Sequence, residues 1–344
     1  MISMENQNAS EKNVFNWIEE KLMPKSCTSE EFIYNEMESQ SEYSLPIIYQ
    51  PFDASKISHW KDRGQLYDFL YSTDGEGKIL LDFGPGDGWP SLIVAPYVKK
   101  VIGIDSSVKR IEVCTENAKR MGITNAEFIK YTVGTKLPFD DNTFDGIMAA
   151  SSIEQTPDPK KTVEELYRVL KPKGRLRIYY EALSGYRNGQ EQDIWISEIK
   201  DNLCKIILYN RNIEKEYAVQ YALTIAMSKK EVVKQLSAEG EVSFNQITVP
   251  YLEGIKHKII NSQVCKTIHP SGRTFVSWLK DIGFGKIIPT YNGGIAAAKL
   301  FDQYSDKDRP KDLASIDGII KKVVSVAVQF EAPTYIDPFI TAIK

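Results

Sequence analysis

Between Lys78 and Leu183 the chain alternates short apolar runs with amphipathic stretches, and this alternation constrains the fold more than any other feature. KILLDFG, VKKVIGID, AEFIKYTV, FDGIMAASS and KGRLRIYYEAL read as five strands. A helix over Ser107 to Met121 carries Val108, Ile111, Cys114, Ala118 and Met121 on one face, and Gly122 stands where a left-handed cap would end it. Asp158 as N-cap and Pro159 as first helical residue open another helix, whose stripe is Val163, Leu166, Val169 and Leu170. Strands and helices alternating at this length imply right-handed crossovers. The expected fold is α/β, doubly wound, with a mostly parallel sheet covered on both faces.

The flanks are less regular. Val14, Phe15, Ile18 and Leu22 fall at helical spacing before Pro24, and KISHWKDRGQLYDFLY reads as a second helix, giving an N-terminal helical arm over residues 1–75. The core sheet occupies 76–184. After Leu183 the rhythm breaks: IWISEIKDNLCKIILYN and SKKEVVKQLSAEG read as helical and VSFNQITV as strand-like, so 185–270 is expected to be an inserted α+β cap. TFVSWLKDIGFGKIIPTY resumes the pattern as helix, glycine cap and strand, and PFITAIK closes the chain. Residues 271–344 thus return to the core, bringing its sheet to seven strands, with a helical insertion at about 291–334 that includes DLASIDGIIKKVVSVAVQF.

Composition narrows the chemistry. Across 344 residues, 43 basic and 46 acidic side chains give a net charge of -3, with no call for the basic face that phosphate neutralisation demands of a nucleic-acid binder. Cys27, Cys114, Cys204 and Cys265 form no CxxC pair, which argues against a disulfide framework or zinc site and for a reducing, cytoplasmic compartment. No uncharged run approaches the roughly 18 residues of a membrane span. A small-molecule substrate without nucleic acid, membrane span or metal is expected, and oligomeric state is unconstrained.

The strongest chemical signal is LLDFGPGDGWP, residues 80–90. Gly84, Gly86 and Gly88 punctuate the turn from a strand ending at Phe83 into a helix expected near Trp89, with Pro90 in its first turn. The exposed N–H groups of such a turn favour an electron-rich, nucleotide-like ligand at the carboxyl end of the sheet. A dinucleotide fingerprint wants GxGxxG; here the spacing is GxGxG, and Trp89 occupies the place of the third glycine. Asp82 is also unusual for a dinucleotide. An acid there suits a ligand bearing an ammonium, either directly or by holding the loop.

Four blocks in order, LLDFGPGDG, VIGIDSS, LPFDDNTFDGI and LYRVLKPKGRLRI, make the chain resemble class I S-adenosylmethionine-dependent methyltransferases of the ubiquinone- and menaquinone-biosynthesis methylase type, with their Rossmann-like fold. The resemblance covers roughly residues 78–183. It implies S-adenosylmethionine as cofactor, with Asp82, Phe83, Gly84, Pro85, Gly86 and Gly88 around its methionine end. Asp105 would accept hydrogen bonds from the ribose diol, and Ser106 would flank the adenine. The family often carries an acid after the third strand to hold the adenine amino group; here Val133 stands there, so backbone of Val133 or Gly134 would serve.

The methyl acceptor is expected beside the ends of strands four and five. Ser151 lies there on the cofactor side, and Glu154 is the best base or substrate-ammonium partner, its alternative being an exposed loop carboxylate. His59, in SHWKDRG, is a second catalytic candidate or else a structural histidine. Tyr43, Trp60 and Tyr180 are the aromatic candidates for the substrate side. The reading is methyl transfer to a small organic molecule by in-line displacement. A non-catalytic cofactor-binding protein of the same fold and an NAD-dependent oxidoreductase are its competitors.

Overall fold

The computed structural model describes residues 14–28, 52–179, 190–212, 214–238, 240–290, 292–331 and 339–344. In chain order the elements are α1 (residues 14–22), β1 (Lys25–Ser26), α2 (Ile57–Ser72), β2 (Ile79–Phe83), α3 (Ser91–Val94), β3 (Lys100–Asp105), α4 (Val108–Arg120), β4 (Ala126–Lys130), β5 (Phe144–Ala150), α5 (Pro159–Val169) and β6 (Leu170–Tyr179). They continue with β7 (Gln190–Lys200), β8 (Leu203–Asn212), β9 (Tyr217–Ile225), α6 (Lys229–Leu236), α7 (Val249–Ile255), β10 (Ile259–Ile268), α8 (Gly272–Ile282), β11 (Lys286–Thr290), α9 (Gly293–Gln303), α10 (Leu313–Gln329) and β12 (Phe339–Ile343). The chain divides into two compact units: Met1–Ser44 with Tyr186–His269, and Leu45–Gly185 with Pro270–Lys344. The arm expected over 1–75 is therefore split, its first helix belonging with the inserted segment and its second with the core.

The larger unit holds a seven-stranded sheet of order β11-β12-β6-β5-β2-β3-β4. β12 runs antiparallel to both neighbours, and the pairs among β6, β5, β2, β3 and β4 are parallel. Side chains alternate across it as a period of two requires. Leu81, Phe83, Ile147 and Ala149 face one layer with α5 and α8, where Val163, Leu166, Phe275 and Leu279 are buried. Leu80 and Met148 face the other, with Leu66, Phe69 and Leu70 of α2, Ala297 of α9, and Ile316, Ile320 and Val324 of α10. The expected signals begin these helices: the Asp158 side chain accepts from Lys161 N at 3.1 Å, and the Ser107 side chain accepts from Arg110 N, also at 3.1 Å.

Two features, a buried ion pair and a close backbone crossing, lock α2 and α9 into this unit. Asp68 and Arg177 form a fully buried pair, with Arg177 Nε donating to Asp68 Oδ1 at 2.8 Å and Nη2 to Oδ2 at 2.9 Å. Ser72 Oγ and Gly293 N also donate to Asp68, at 3.0 and 2.7 Å, and Arg177 Nη1 donates to Thr341 Oγ1 at 2.9 Å. The backbones of α2 and α9 cross so closely that a Cβ on Gly64 would stand 2.2 Å from Gly293 O. The helices α9 and α10, expected as an insertion at about 291–334, are thus part of the core's helical layer.

The smaller unit corrects the sequence reading twice. IWISEIKDNLCKIILYN is not helical: it forms the antiparallel hairpin β7–β8, whose Lys200 and Leu203 pair across the two-residue turn Asp201–Asn202, with Asn202 at φ 58°. Its true period is two, since Cys204, Ile206 and Leu208 pack with α1 while Lys205 and Ile207 alternate to the other face. VSFNQITV is not a strand either. Ser243 and Gln246 make a capping box around the short 3-10 turn Phe244–Gln246, and Thr248 caps α7 with Pro250 in its first turn. The five-stranded sheet runs β1-β10-β9-β8-β7. Trp17 and Tyr221 anchor α1 to its own unit, donating to Glu253 Oε1 and Glu19 Oε1, each at 2.9 Å.

Candidate active site

In the seven-stranded sheet β2 lies between β5 and β3: the chain fills one side through β3 and β4, then crosses to β5 and β6. That reversal falls at the carboxyl ends of β2 and β5, the position where doubly wound sheets bind ligands. The glycine turn sits there. Gly84 N donates to Ile104 O at 2.9 Å, and Gly84 and Gly86 adopt φ of +73° and +57°. A Cβ at Gly84 would stand 2.5 Å from Ser152 Cβ, so only glycine lets the turn after β2 meet the turn after β5. Ser152 closes this contact by donating its Oγ to Phe83 O at 2.6 Å.

Helix α4 supports the turn from behind: Cys114 Sγ donates to Gly86 O at 3.1 Å and Asn117 Nδ2 to Asp87 O at 3.1 Å. Neither role was evident in the sequence, although a buried asparagine on an apolar stripe is a signal for one. Burial, reinforced by the charges of Asp82 and Asp105, pushes the Cys114 thiol up, so it is no nucleophile. The helix expected near Trp89 is the short α3, beginning at Ser91 after Pro90, and the Trp89 ring packs edge-on to Phe69 at 5.9 Å.

Asp82 is fully buried. Ser91 Oγ donates to its Oδ2 at 2.5 Å, tying the turn to α3, while Oδ1 has no partner among the described residues. Burial, with a contribution from the charge of Asp105, raises its pKa to about 7 despite the Ser91 bonds. Asp105, at the end of β3, is buried rather than solvated, and its Oδ1 accepts from Ser107 N at 3.0 Å. Ser106 beside it is also buried.

The remaining strand ends complete the edge. Val133 and Gly134 lie in the turn after β4, closed by Thr135 N donating to Thr132 O at 3.2 Å, with Gly134 at φ +78°. Tyr131, which the sequence reading passed over, tilts against Phe83 with ring centroids 5.8 Å apart. Ser151 is held at φ +47°, a conformation costly for a side-chain-bearing residue, by its N donating to Tyr179 O at 2.9 Å and its O accepting from Gln155 Nε2 at 2.6 Å. Glu154 lies in the 3-10 turn Ile153–Gln155 and is buried, not an exposed loop carboxylate.

Other candidates fall elsewhere. His59 Nδ1 accepts from Asp53 N at 2.9 Å, and the ring lines a cavity that includes no residue of the glycine turn. Trp60 has no exposed surface: its indole donates to Ala54 O at 3.0 Å and packs edge-on to Phe301, so it belongs to the core and not to a substrate face. Tyr43 and Tyr180 lie outside the described residues. Among the described residues no cluster of His, Cys, Asp or Glu has the arrangement of a metal site, and no helix is long and apolar enough to cross a membrane.

Residues 81–178 match the family described as "Methyltransferase domain", a stretch running from β2 through most of β6 and containing both acids and the glycine turn. Over 99 residues, 29% of this chain and 39% of the relative, the sequence is 38% identical to an uncharacterized methyltransferase of Bacillus subtilis (strain 168). Over 102 residues, 30% of this chain and 40% of the relative, it is 34% identical to a demethylmenaquinone methyltransferase of Clavibacter sepedonicus. The solved structure of a SAM dependent methyltransferase from Aquifex aeolicus is 30% identical, covers 40% of this chain and 77% of that one, and has a TM-score of 0.32. The chain spans about two fifths of the length of these two curated relatives.

Proposed function

We propose, from the premise that residues 81–178 are a methyltransferase domain of the class I, S-adenosylmethionine-dependent kind, that the whole protein transfers a methyl group to a small organic molecule. The observation that carries this reading is the coincidence of that match with the glycine turn and Asp105 at the reversal point of the sheet. The residues present fit the donor. A buried carboxylate oxygen of Asp82 without a partner among the described residues suits the donor's ammonium, and we assign the turn of Phe83, Gly84, Pro85, Gly86 and Gly88, whose three glycines all have positive φ, to its methionine end. We assign Asp105 to the ribose hydroxyls, Ser106 to the adenine flank, the backbone of Val133 and Gly134 to the adenine edge, and Ser151 to the rim. When bound, S-adenosylmethionine supplies an electrophilic methyl group on a sulfonium.

The chain's own contribution is then orientation and exclusion of water, which for in-line displacement can be worth several kcal/mol. Glu154, buried after β5, is our candidate for holding an acceptor ammonium or taking a proton. A dinucleotide reading is not favoured, because Trp89 fills the place of the third glycine and packs on Phe69. The four cysteines are all free of disulfides, in keeping with a reducing, cytoplasmic setting. We assign no nucleic acid partner.

Transfer of tritium from S-adenosylmethionine labelled on its methyl group into a small-molecule extract tests the proposal. Label recovered in an organic product, with equimolar S-adenosylhomocysteine, is the expected result. Tight binding of S-adenosylhomocysteine without transfer to any acceptor would instead favour a non-catalytic cofactor-binding protein.

A further inference from the structure

Strand β1 brings two cysteines side by side in the smaller unit. It runs parallel to β10, with Lys25 opposite Gln263 and Ser26 opposite Val264. The ladder continues one residue further, since Cys27 N donates to Val264 O at 2.9 Å. The next residue on each strand is a cysteine, so Cys27 stands opposite Cys265. Side chains alternate along a strand, and the pair therefore shares the face turned away from Val264, whose side chain belongs to the core with α1. On that face Cys27 packs against a small cluster of Cys265, Ile207 and Ala222. Neighbouring strands lie about 4.8 Å apart, inside the roughly 4.4–6.8 Å that separates the Cα atoms of a disulfide.

The two thiols differ in access. Cys265 is 1% exposed, whereas Cys27 is half-buried and directly follows a strand of two residues. The Cys27 sulfur leans on β10, donating to Val264 O at 3.5 Å, 237 positions away. Its charge reaches Cys265, whose thiol burial pushes up to about 12, and also the buried Lys205, whose pKa burial lowers. A cation thus lies within electrostatic reach of the more accessible sulfur. The other two cysteines lie apart from this pair: Cys114 supports the glycine turn, and Cys204 faces the core with α1.

We propose that Cys27 and Cys265 are a reversible modification site, closed to a disulfide by a small-molecule disulfide such as oxidised glutathione. The Cys27 thiolate attacks one sulfur of the reagent, forming a mixed disulfide and expelling one glutathione thiolate. The Cys265 sulfur then attacks the Cys27 sulfur and expels the second. Both protein thiols are oxidised, the reagent is reduced to two thiols, and each proton lost by the protein is taken by an expelled thiolate. Burial makes Cys265 unreactive towards the reagent itself, so the reaction has to enter through Cys27. The bond fastens the strand after α1 to β10. The site stands independently of the methyl-transfer reading.

The test uses the full chain, reduced, freed of reductant and incubated with oxidised glutathione under native conditions. Peptide mapping by mass spectrometry is expected to find Cys27 linked to Cys265, no glutathione retained, and Cys114 and Cys204 still reduced; dithiothreitol restores both thiols. Cys265→Ser is expected to leave glutathione on Cys27. Cys27→Ser, at a half-exposed position, is expected to leave Cys265 unreacted, and with wild type it decides the matter should the Cys265 variant fail to fold. Glutathione retained on Cys27 of wild type, a bond to Cys114 or Cys204, or thiols that all stay reduced would overturn the proposal.

Discussion

Asp82 carries the sharpest electrostatic consequence of any single residue. Burial raises its pKa to about 7, from an ordinary value of 3.8. The folded protein therefore holds a proton there that the unfolded chain has released, and between about pH 4 and 7 folding takes up a proton. Stability must then fall as pH rises through that window, and the penalty persists above it. Asp82→Asn removes the penalty. In urea unfolding at pH 5 and pH 8, wild type is expected to lose more stability with rising pH than the variant, and equal losses would contradict the burial account. Chemistry packed into a contiguous run, such as the glycine turn with Asp82, was legible in the sequence. Asp68 and Arg177 lie 109 positions apart, and only the fold brings them together. The sequence left His59 open between a catalytic and a structural role for a related reason: it does not say that its Nδ1 accepts from a backbone N–H six residues away.

Among the elements, the crossing of α2 and α9 leaves least room. A Cβ on Gly64 would stand 2.2 Å from Gly293 O and 2.7 Å from Ala297 Cβ, contacts that a backbone cannot yield. Gly64→Ala is expected to destabilise the protein by about 3 kcal/mol, overpacking outweighing the better helix propensity of alanine. A urea midpoint equal to or above that of wild type would refute this. The helices α4 and α5 could be read from their caps, and α5 also from its stripe of Val163, Leu166 and Val169. The stripe expected on α4 is only half right, because Val108 and Met121 are exposed and the buried face is Val113, Cys114, Asn117 and Ala118. The β7–β8 hairpin could not: its isoleucines and leucines satisfy a helical stripe as well as a period of two. The Asp201–Asn202 turn, which decides between them, is short and lacks the glycine that marks such turns most clearly.

At the scale of the whole molecule, interleaved segments of the chain build separate cores in its two compact units, the larger one packing a layer on each face of its sheet. Leu208 is fully buried in the smaller unit's core, and Leu208→Ala is expected to cost about 2–5 kcal/mol there. Calorimetry should resolve that loss as a lowered transition for the smaller unit, leaving that of the larger unit in place; a single transition shifted as one would show that the cores unfold together. In the larger unit, Asp68→Asn strands a buried guanidinium and is expected to cost about 3–5 kcal/mol, whereas Asp68→Leu combined with Arg177→Met recovers much of it. Equal losses in the single and double variants would contradict that view of the pair. The alternation of strands and helices made the core's class legible from sequence, but the pairing of the chain's first helix with the inserted sheet was not, because it depends on contacts such as Trp17 with Glu253, 236 positions apart.

Whether the glycine turn and Asp105 cradle S-adenosylmethionine is decided by calorimetric titration with S-adenosylhomocysteine. Wild type is expected to bind with a micromolar Kd and to ignore NADH, and Asp105→Ala is expected to weaken binding by about 1.5–3 kcal/mol, the value of a lost hydrogen bond to a charged group. No binding by the folded protein, preference for NADH, or undiminished affinity in Asp105→Ala would show that they do not.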